Sequence, residues 1–212
     1  MQNITQNLFF HAILILFSGS TLWFFYTDPS KKAKFSILNH FTDLIFYFAL
    51  AVFGINVVFH FREILAVPYR ALIFSADVVA LATFILTIYA GIKYGERLWS
   101  QADKAKSVVQ LFLFLGLVNH SYLYFIYTSM RSILFIGFFI LILGLTSNTK
   151  LMSKIDPLVL LLGAGLTHAL LMGDRAVLYF NFVFYRMPFL IILSSLTLIL
   201  FLQRRKLQSN QT

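Results

Sequence analysis

The fold is decided by residues 107–147, which read SVVQLFLFLGLVNHSYLYFIYTSMRSILFIGFFILILGLTS. Arg131 is the only charged residue in this stretch, and it follows the polar pair Thr128-Ser129 with Met130 between them. A helix needs about 20 apolar residues to cross the hydrocarbon of a bilayer. Residues 107–128 and 132–147 therefore predict two membrane-spanning helices joined by a short turn.

The same pattern extends over the rest of the 212-residue chain. Hydrophobic residues make up 59% of it and charged residues 12%, with a mean hydropathy of +0.82. A soluble domain carries about 25% charged residues, so lipid must cover the excess apolar surface. We predict a single all-α membrane domain over residues 1–212, a polytopic bundle of about seven spans: 8–26, 41–60, 71–92, 107–128, 132–147, 157–173 and 176–202. The last contains Arg186 and Pro188, and we expect a stricter span from Met187 onward.

The basic residues predict the orientation, since loops rich in Lys and Arg stay in the cytoplasm. Alternate loops form two sets that differ threefold in Lys and Arg. The richer set holds twelve such residues (Lys31, Lys32, Lys34, Lys93, Arg97, Lys104, Lys106, Lys150, Lys154, Arg204, Arg205 and Lys206) and the poorer set four (Arg62, Arg70, Arg131 and Arg175). The N-terminus is therefore expected outside and the C-terminus in the cytoplasm of a plasma (inner) membrane.

Composition also excludes several classes of protein. The chain has no cysteine, which rules out disulfides, thiolate metal sites and cysteine nucleophiles. The net charge of +9 sits in short loops beside apolar segments, where lipid headgroups account for it and nucleic acid is not required. The expected partners are the lipid bilayer and, for one of the functions below, another membrane protein.

Polar residues inside the predicted spans collect in their outer halves, while the inner halves are mainly aliphatic and Phe. Such residues are costly in a bilayer and usually face a bundle interior or water. We predict an outward-facing polar pocket, with Asp77 and Arg186 able to neutralise each other if their helices are neighbours. Its expected ligand-binding residues are Asn56, Asp77, Asn119, His120, His168 and Arg186, with His60 at its edge.

The histidines raise two cofactor hypotheses. His60, His120 and His168 are candidate zinc ligands, because three imidazoles can hold zinc with one position open. His120 and His168 alone are candidate axial ligands of a haem, an idea that ranks below zinc because no recognised spacing supports it.

The spacing Asn56-x-x-x-His60, followed by Asp77 in the next span, resembles the metal-dependent membrane hydrolase superfamily that includes alkaline ceramidases and progestin/adiponectin-type receptors. That family has about seven spans and a zinc-binding H-x-x-x-H pair in its last span. The last span here contains no histidine, so the resemblance covers about two helices and leaves the zinc ligands in doubt.

Other residues are expected to be structural. Asp43 and Asp156 begin predicted spans, where a carboxylate suits the positive end of a helix. Ser18-Gly19-Ser20, Gly54, Gly116 and Gly163-Ala164-Gly165 are small residues that let helices approach closely.

Three functions follow from these observations. The first is a membrane protein that binds a small solute or ion in the polar pocket and transports or senses it. The second is a membrane-embedded, metal-dependent hydrolase acting on lipid, with Asp77 or a histidine as base. The third is a non-catalytic subunit or assembly factor of a membrane complex, in which the polar groups hold helices together.

Overall fold

The computed structural model describes residues 2–27, 29–100, 102–148, 155–180 and 182–209, and within this part it is almost entirely helical. Eight α-helices are described, with one 3-10 helix and one short β-hairpin. The elements are α1 (Gln2–Tyr26), α2 (Lys31–Phe59), α3 (Phe61–Ala66), the 3-10 helix (Pro68–Leu72), α4 (Ala76–Ser100), α5 (Ala102–Tyr127), α6 (Met130–Ser147), α7 (Pro157–Met172), β1 (Val177–Tyr179), β2 (Phe182–Phe184) and α8 (Arg186–Ser209).

Five segments of the described chain are long and apolar enough to cross a bilayer: Lys31–Phe59, Ala76–Glu96, Ala105–Tyr127, Met130–Ser147 and Arg186–Ser209. Two shorter apolar segments, Phe10–Tyr26 and Leu158–Met172, lie in α1 and α7. Large apolar side chains are exposed on all of these helices. This supports an integral membrane protein that lies in lipid.

The sequence predicted that Asp43 and Asp156 begin helices, and the structure agrees for one of the two. Asp156 caps α7 as expected, because its carboxylate accepts a hydrogen bond of 2.9 Å from the Leu158 N–H. The expectation for Asp43 is wrong. Ser30 caps α2, which begins at Lys31, so Asp43 lies exposed in the body of the helix.

The predicted seventh span, 176–202, is not helical at residues 176–180 and 182–185. Val177 pairs with Phe184 and Tyr179 with Phe182 in an antiparallel hairpin, and α8 begins only at Arg186. Pro188 thus lies in the first turn of α8, where a missing N–H is harmless. A proline beside Arg186 in the middle of a span would break the helix, but Pro188 does not lie in the middle of one.

Helices α4 to α8 form a closed ring in chain order. α5 packs on α6, α6 on α7, α7 on α8, α8 on α4, and α4 closes the ring against α5. Outside this ring, α1 lies against α5 and α2 lies mainly against α4. The main core cluster joins α5, α6, α7 and β1 through Leu113, Phe135, Phe139, Met172 and Val177.

Only some of the glycines serve close packing. A Cβ on Gly116 would overlap the ring of Phe139, so this glycine lets α5 and α6 approach. By contrast, a Cβ on Gly54 or Gly163 would meet no atom within 4 Å. A Cβ on Gly19 would overlap Leu115 and one on Gly165 would overlap Leu193. The expectation of close packing is therefore correct for Gly19, Gly116 and Gly165 and wrong for Gly54 and Gly163.

Candidate functional site

One buried side chain of α5 binds the backbone of the β-hairpin through two hydrogen bonds. The Asn119 amide donates to the Leu178 carbonyl oxygen at 2.9 Å and accepts from the Phe180 N–H at 2.9 Å. Phe180 has a φ of 51°, in the left-handed region that non-glycine residues seldom adopt. Asn119 therefore fixes the strained turn of the hairpin against α5.

Next to the Asn119 hydrogen bonds, Tyr179 of the hairpin links two histidines. The Tyr179 hydroxyl lies 3.2 Å from His120 Nε2 on α5 and 2.5 Å from His168 Nε2 on α7. His120 is 1% exposed and His168 is 6% exposed. Two helices and one strand thus share one buried hydrogen-bonded chain, which we call the His–Tyr–His chain (His120, Tyr179 and His168).

Aromatic rings enclose this chain. His120 stacks on Phe135 of α6, with ring centroids 4.3 Å apart and planes 14° apart. Phe138 of α6 and Phe189 of α8 lie against His168, at centroid distances of 5.6 and 5.1 Å. Apolar rings exclude water and strengthen the electrostatic interactions within the chain.

The hydrogen-bond distances indicate the protons on these three groups. A phenol donates only once, so it can donate to one imidazole and must accept from the other. The shorter contact fits donation from the Tyr179 hydroxyl to His168 Nε2, and the longer one fits donation from His120 Nε2–H to the Tyr179 oxygen. His120 Nδ1 then carries a lone pair, and no described residue makes a hydrogen bond to this buried atom.

The chain lies within the length of the membrane helices. His120 is seven residues before the end of α5 and His168 four before the end of α7, about 10 and 6 Å along each axis. Non-helical backbone at membrane depth is tolerated only where protein or a water-filled cavity covers it. The helix ring provides that cover for the hairpin.

Two other expected site residues form a separate group. Asn56 on α2 donates through Nδ2 to the Arg70 and Ala71 carbonyl oxygens, at 3.3 and 3.1 Å. His60 ends α2, and its Nδ1 lies 3.7 Å from Glu63. These contacts fold the segment after α2 back on the helix, and they do not join the His–Tyr–His chain.

The expected pairing of Asp77 with Arg186 does not form. Asp77 lies exposed in the first turn of α4, where its charge suits the helix dipole. Arg186 lies 3.8 Å from Asp174, which is fully exposed. Both residues therefore lie outside the buried polar cluster, and of the six predicted ligand-binding residues the structure brings together Asn119, His120 and His168.

Three residues of the predicted pocket come together, but their arrangement differs from that of the expected zinc and haem sites. Over the described residues, no three side chains of His, Asp or Glu come together to hold a metal ion. The three-histidine zinc site is not formed, because His60 belongs to the group around Asn56. For a haem, Tyr179 stands between the two candidate axial ligands and bonds to the nitrogen of each that would bind iron.

Tyr179 is the residue of this site that sequence reasoning missed. It was assigned to the first turns of a spanning helix. A signal was present, however, since Val177–Phe180 and Phe182–Tyr185 are β-favouring runs on either side of Asn181. Two short runs of this kind around a turn residue are typical of a hairpin.

A second polar layer lies at the opposite end of the bundle, where mainly aliphatic packing was expected. Lys34 is 8% exposed, and its ammonium donates to the Phe24 and Thr27 carbonyl oxygens at 2.6 and 2.5 Å. Trp23 Nε1 donates to the Ser107 carbonyl oxygen at 2.8 Å. Lys34 was counted only as a loop charge, although its position just after α1 suits a cation that caps the carbonyls of a helix end.

Comparison with known proteins finds no match: no family model, no curated protein and no solved structure is significantly similar to this chain.

Proposed function

We propose that this protein binds a small ion at the His–Tyr–His chain and transports or senses it, and that the ion is the proton. In this proposal the chain crosses a plasma membrane seven times, with the N-terminus outside, the hairpin near the outer ends of the helices and the C-terminus in the cytoplasm. The outward-facing polar pocket expected from the sequence becomes a buried site that the hairpin covers.

The observation that carries the proposal is the hydrogen-bonded link between α5 and α7. Ionisable groups inside membrane segments mark ion pathways and proton relays in many proteins. Here two imidazoles contact one phenol through their Nε2 atoms, within 3.2 Å, and aromatic rings surround all three.

The geometry allows a balanced proton transfer. A proton binds the free lone pair of His120 Nδ1, and the proton on His120 Nε2 moves to the Tyr179 oxygen. At the same time the Tyr179 hydroxyl proton moves to His168 Nε2, and His168 later releases its Nδ1 proton. One proton enters at α5 and one leaves at α7, and the three groups exchange tautomers but not net charge.

The hairpin gives this site a means of closure. Two Asn119 hydrogen bonds and the contacts of Tyr179 attach the hairpin to the helix ring. Protonation of His168 turns its Nε2 from an acceptor into a donor, so the bond to Tyr179 must reverse direction and the Tyr179 hydroxyl proton needs another acceptor. Transport and sensing would both use this coupling.

Proton flux in proteoliposomes tests the proposal. The full chain is reconstituted with a pH-sensitive dye inside, and a potassium diffusion potential drives protons across the membrane. We expect flux above that of empty liposomes, and flux at the empty-liposome level for Tyr179→Phe, which keeps the ring but removes both hydrogen bonds. Tyr185→Phe, at an exposed tyrosine beside the hairpin, is the matched control.

A second measurement separates sensing from transport. Because the chain has no native cysteine, Val183→Cys places a single thiol on the hairpin. A sensor without transport gives no flux but a labelling rate, with a membrane-impermeant maleimide, that rises as pH falls. Absence of both effects, with Tyr179→Phe changing only stability, would refute the proposal and favour a subunit whose polar groups hold helices together.

Single cysteines also test the orientation. Ser129→Cys and Asp174→Cys are expected to react from outside, whereas Ser30→Cys and Ser209→Cys are expected to react only after the membrane is opened. Any of these positions labelled from the opposite side would contradict the seven-span arrangement.

A further inference from the structure

A lysine held by tyrosines lies on the outer face of α2 and α4, away from the His–Tyr–His chain. Lys93 Nζ is 2.6 Å from the Tyr89 hydroxyl oxygen. It also lies over the rings of Tyr89, Tyr94 and Tyr47, with centroid distances of 5.0, 5.3 and 5.9 Å. We call these four residues the lysine–tyrosine patch.

The position of the patch along α4 matches the membrane interface. Lys93 is the first charged residue of α4 after Asp77, and Glu96 follows within one turn, so Lys93 marks the end of the apolar part of the helix. Side chains on a helix lean toward its N-terminus, and the Lys93 stem accordingly points back to Tyr89. Tyrosines favour this depth because the ring is apolar and the hydroxyl prefers water.

Within the described residues, no ion pair neutralises the charge of the patch. Lys93 is exposed and forms no ion pair with any described residue, although Glu96 follows one turn later on the same helix. Tyr47 and Tyr89 are exposed by 40% and 38%. Their hydroxyls can donate hydrogen bonds to the same acceptor as the ammonium.

We propose that the lysine–tyrosine patch binds the phosphate of an anionic phospholipid. Three ring faces around a cation form the kind of cage that recognises quaternary ammonium ligands. Here Lys93 itself occupies the cage, so it repels a choline headgroup and attracts a phosphate. An anionic headgroup has no cation of its own to compete for that phosphate.

The surroundings favour a lipid over free phosphate. Leu50 lies one turn deeper than Tyr47 on α2, and Ile85 one turn deeper than Tyr89 on α4. Both are exposed, by 53% and 48%. An acyl chain attached to a phosphate at Lys93 would lie against these two side chains. This inference is independent of the proton function proposed above.

Native mass spectrometry of the full chain, purified in detergent with equal amounts of phosphatidylglycerol and phosphatidylcholine, tests the site. We expect the protein to retain phosphatidylglycerol preferentially. Lys93→Gln should lower that preference about fivefold, the effect of one basic residue near an anionic lipid. Lys93→Arg should keep the preference, and Lys32→Gln, at an exposed lysine at the start of α2, should not change it.

Three results would overturn the proposal. They are equal loss of preference in Lys93→Gln and Lys32→Gln, an unchanged preference in Lys93→Gln, and displacement of the bound lipid by millimolar inorganic phosphate. The melting temperature of Lys93→Gln in phosphatidylcholine alone shows whether its fold is intact. If that variant is unfolded, Tyr89→Phe, which keeps the charge but removes its hydrogen-bond partner, must lower the preference instead.

Discussion

Replacing Asn119 by Ala should release the β-hairpin from the helix ring while leaving the ring folded. The wild-type side chain is 1% exposed and makes two hydrogen bonds of 2.9 Å to hairpin backbone, one to the Leu178 carbonyl oxygen and one from the Phe180 N–H. Alanine removes both partners at once. The hairpin also loses the contact that holds Phe180 at a positive φ.

The magnitude follows from these two bonds. A buried backbone group left without a partner costs about 1–3 kcal/mol. Two such groups would cost about 2–6 kcal/mol, and movement of the hairpin toward solvent lowers the upper part of this range to about 4 kcal/mol. Since 1.4 kcal/mol is a factor of ten, local opening should become about 30- to 700-fold more frequent.

Hydrogen exchange measured by mass spectrometry detects this opening. Backbone amides of the hairpin peptide that contains Phe180 should exchange faster by that factor, while peptides from α2 and α6 should be unchanged. Asn39→Ala, at an exposed asparagine on α2, is the control and should leave the hairpin at its wild-type rate. If hydrogen exchange of the hairpin is unchanged in Asn119→Ala, Asn119 does not hold the hairpin and the reasoning is refuted. Equal acceleration in all peptides would mean that Asn119 supports the whole bundle instead.

Three further predictions concern packing, capping and pH. Gly116→Ala should lower the free energy of unfolding by about 1–3 kcal/mol because its methyl group overlaps Phe139; denaturant titration should show no such loss for Gly137→Ala, whose Cβ meets no atom within 4 Å. Lys34→Met should cost about 1.5–3 kcal/mol in the same titration, since it removes a cation from two carbonyl oxygens, whereas Lys32→Met, at an exposed lysine, should cost almost nothing. Arg204 and the Leu158 N–H hold the pKa of Asp156 below its usual value of 3.8, so the carboxylate stabilises the fold above that value and loses this effect as pH falls through the lower, folded pKa. The melting temperature of wild type should thus exceed that of Asp156→Asn at neutral pH, and the gap should shrink below about pH 4; a gap that is constant with pH would show that the charge is not responsible.

The proposed site connects these predictions to function. Asn119 binds the backbone of the hairpin, and Tyr179 fixes the same hairpin by bonding to the two histidines. Loosening the hairpin by Asn119→Ala should therefore disturb proton movement as well as exchange, whereas Gly137→Ala should affect neither.

Most of the helices were predictable because each depends on local composition. The predicted spans 107–128 and 132–147 agree with α5 and α6, and 157–173 agrees with α7 to within one residue. The Asp156 cap was also predictable, since it depends on a residue at the start of its own helix. The prediction of a helix over residues 176–185 was wrong because apolar aromatic residues suit a buried hairpin as well as a helix. Only the elements that pack against this segment decide between the two.

The membrane class, the approximate helix boundaries and the scarcity of buried charge were determined by the sequence alone, because the cost of placing polar groups in lipid acts residue by residue. Only the tertiary structure decided which polar groups meet. Asn119 and His120 lie about 60 residues before the hairpin they bind, and Asp77 and Arg186 lie on packed helices, α4 and α8, yet do not pair. Such contacts depend on helix order and rotation, which are set by the close fit of many side chains at once.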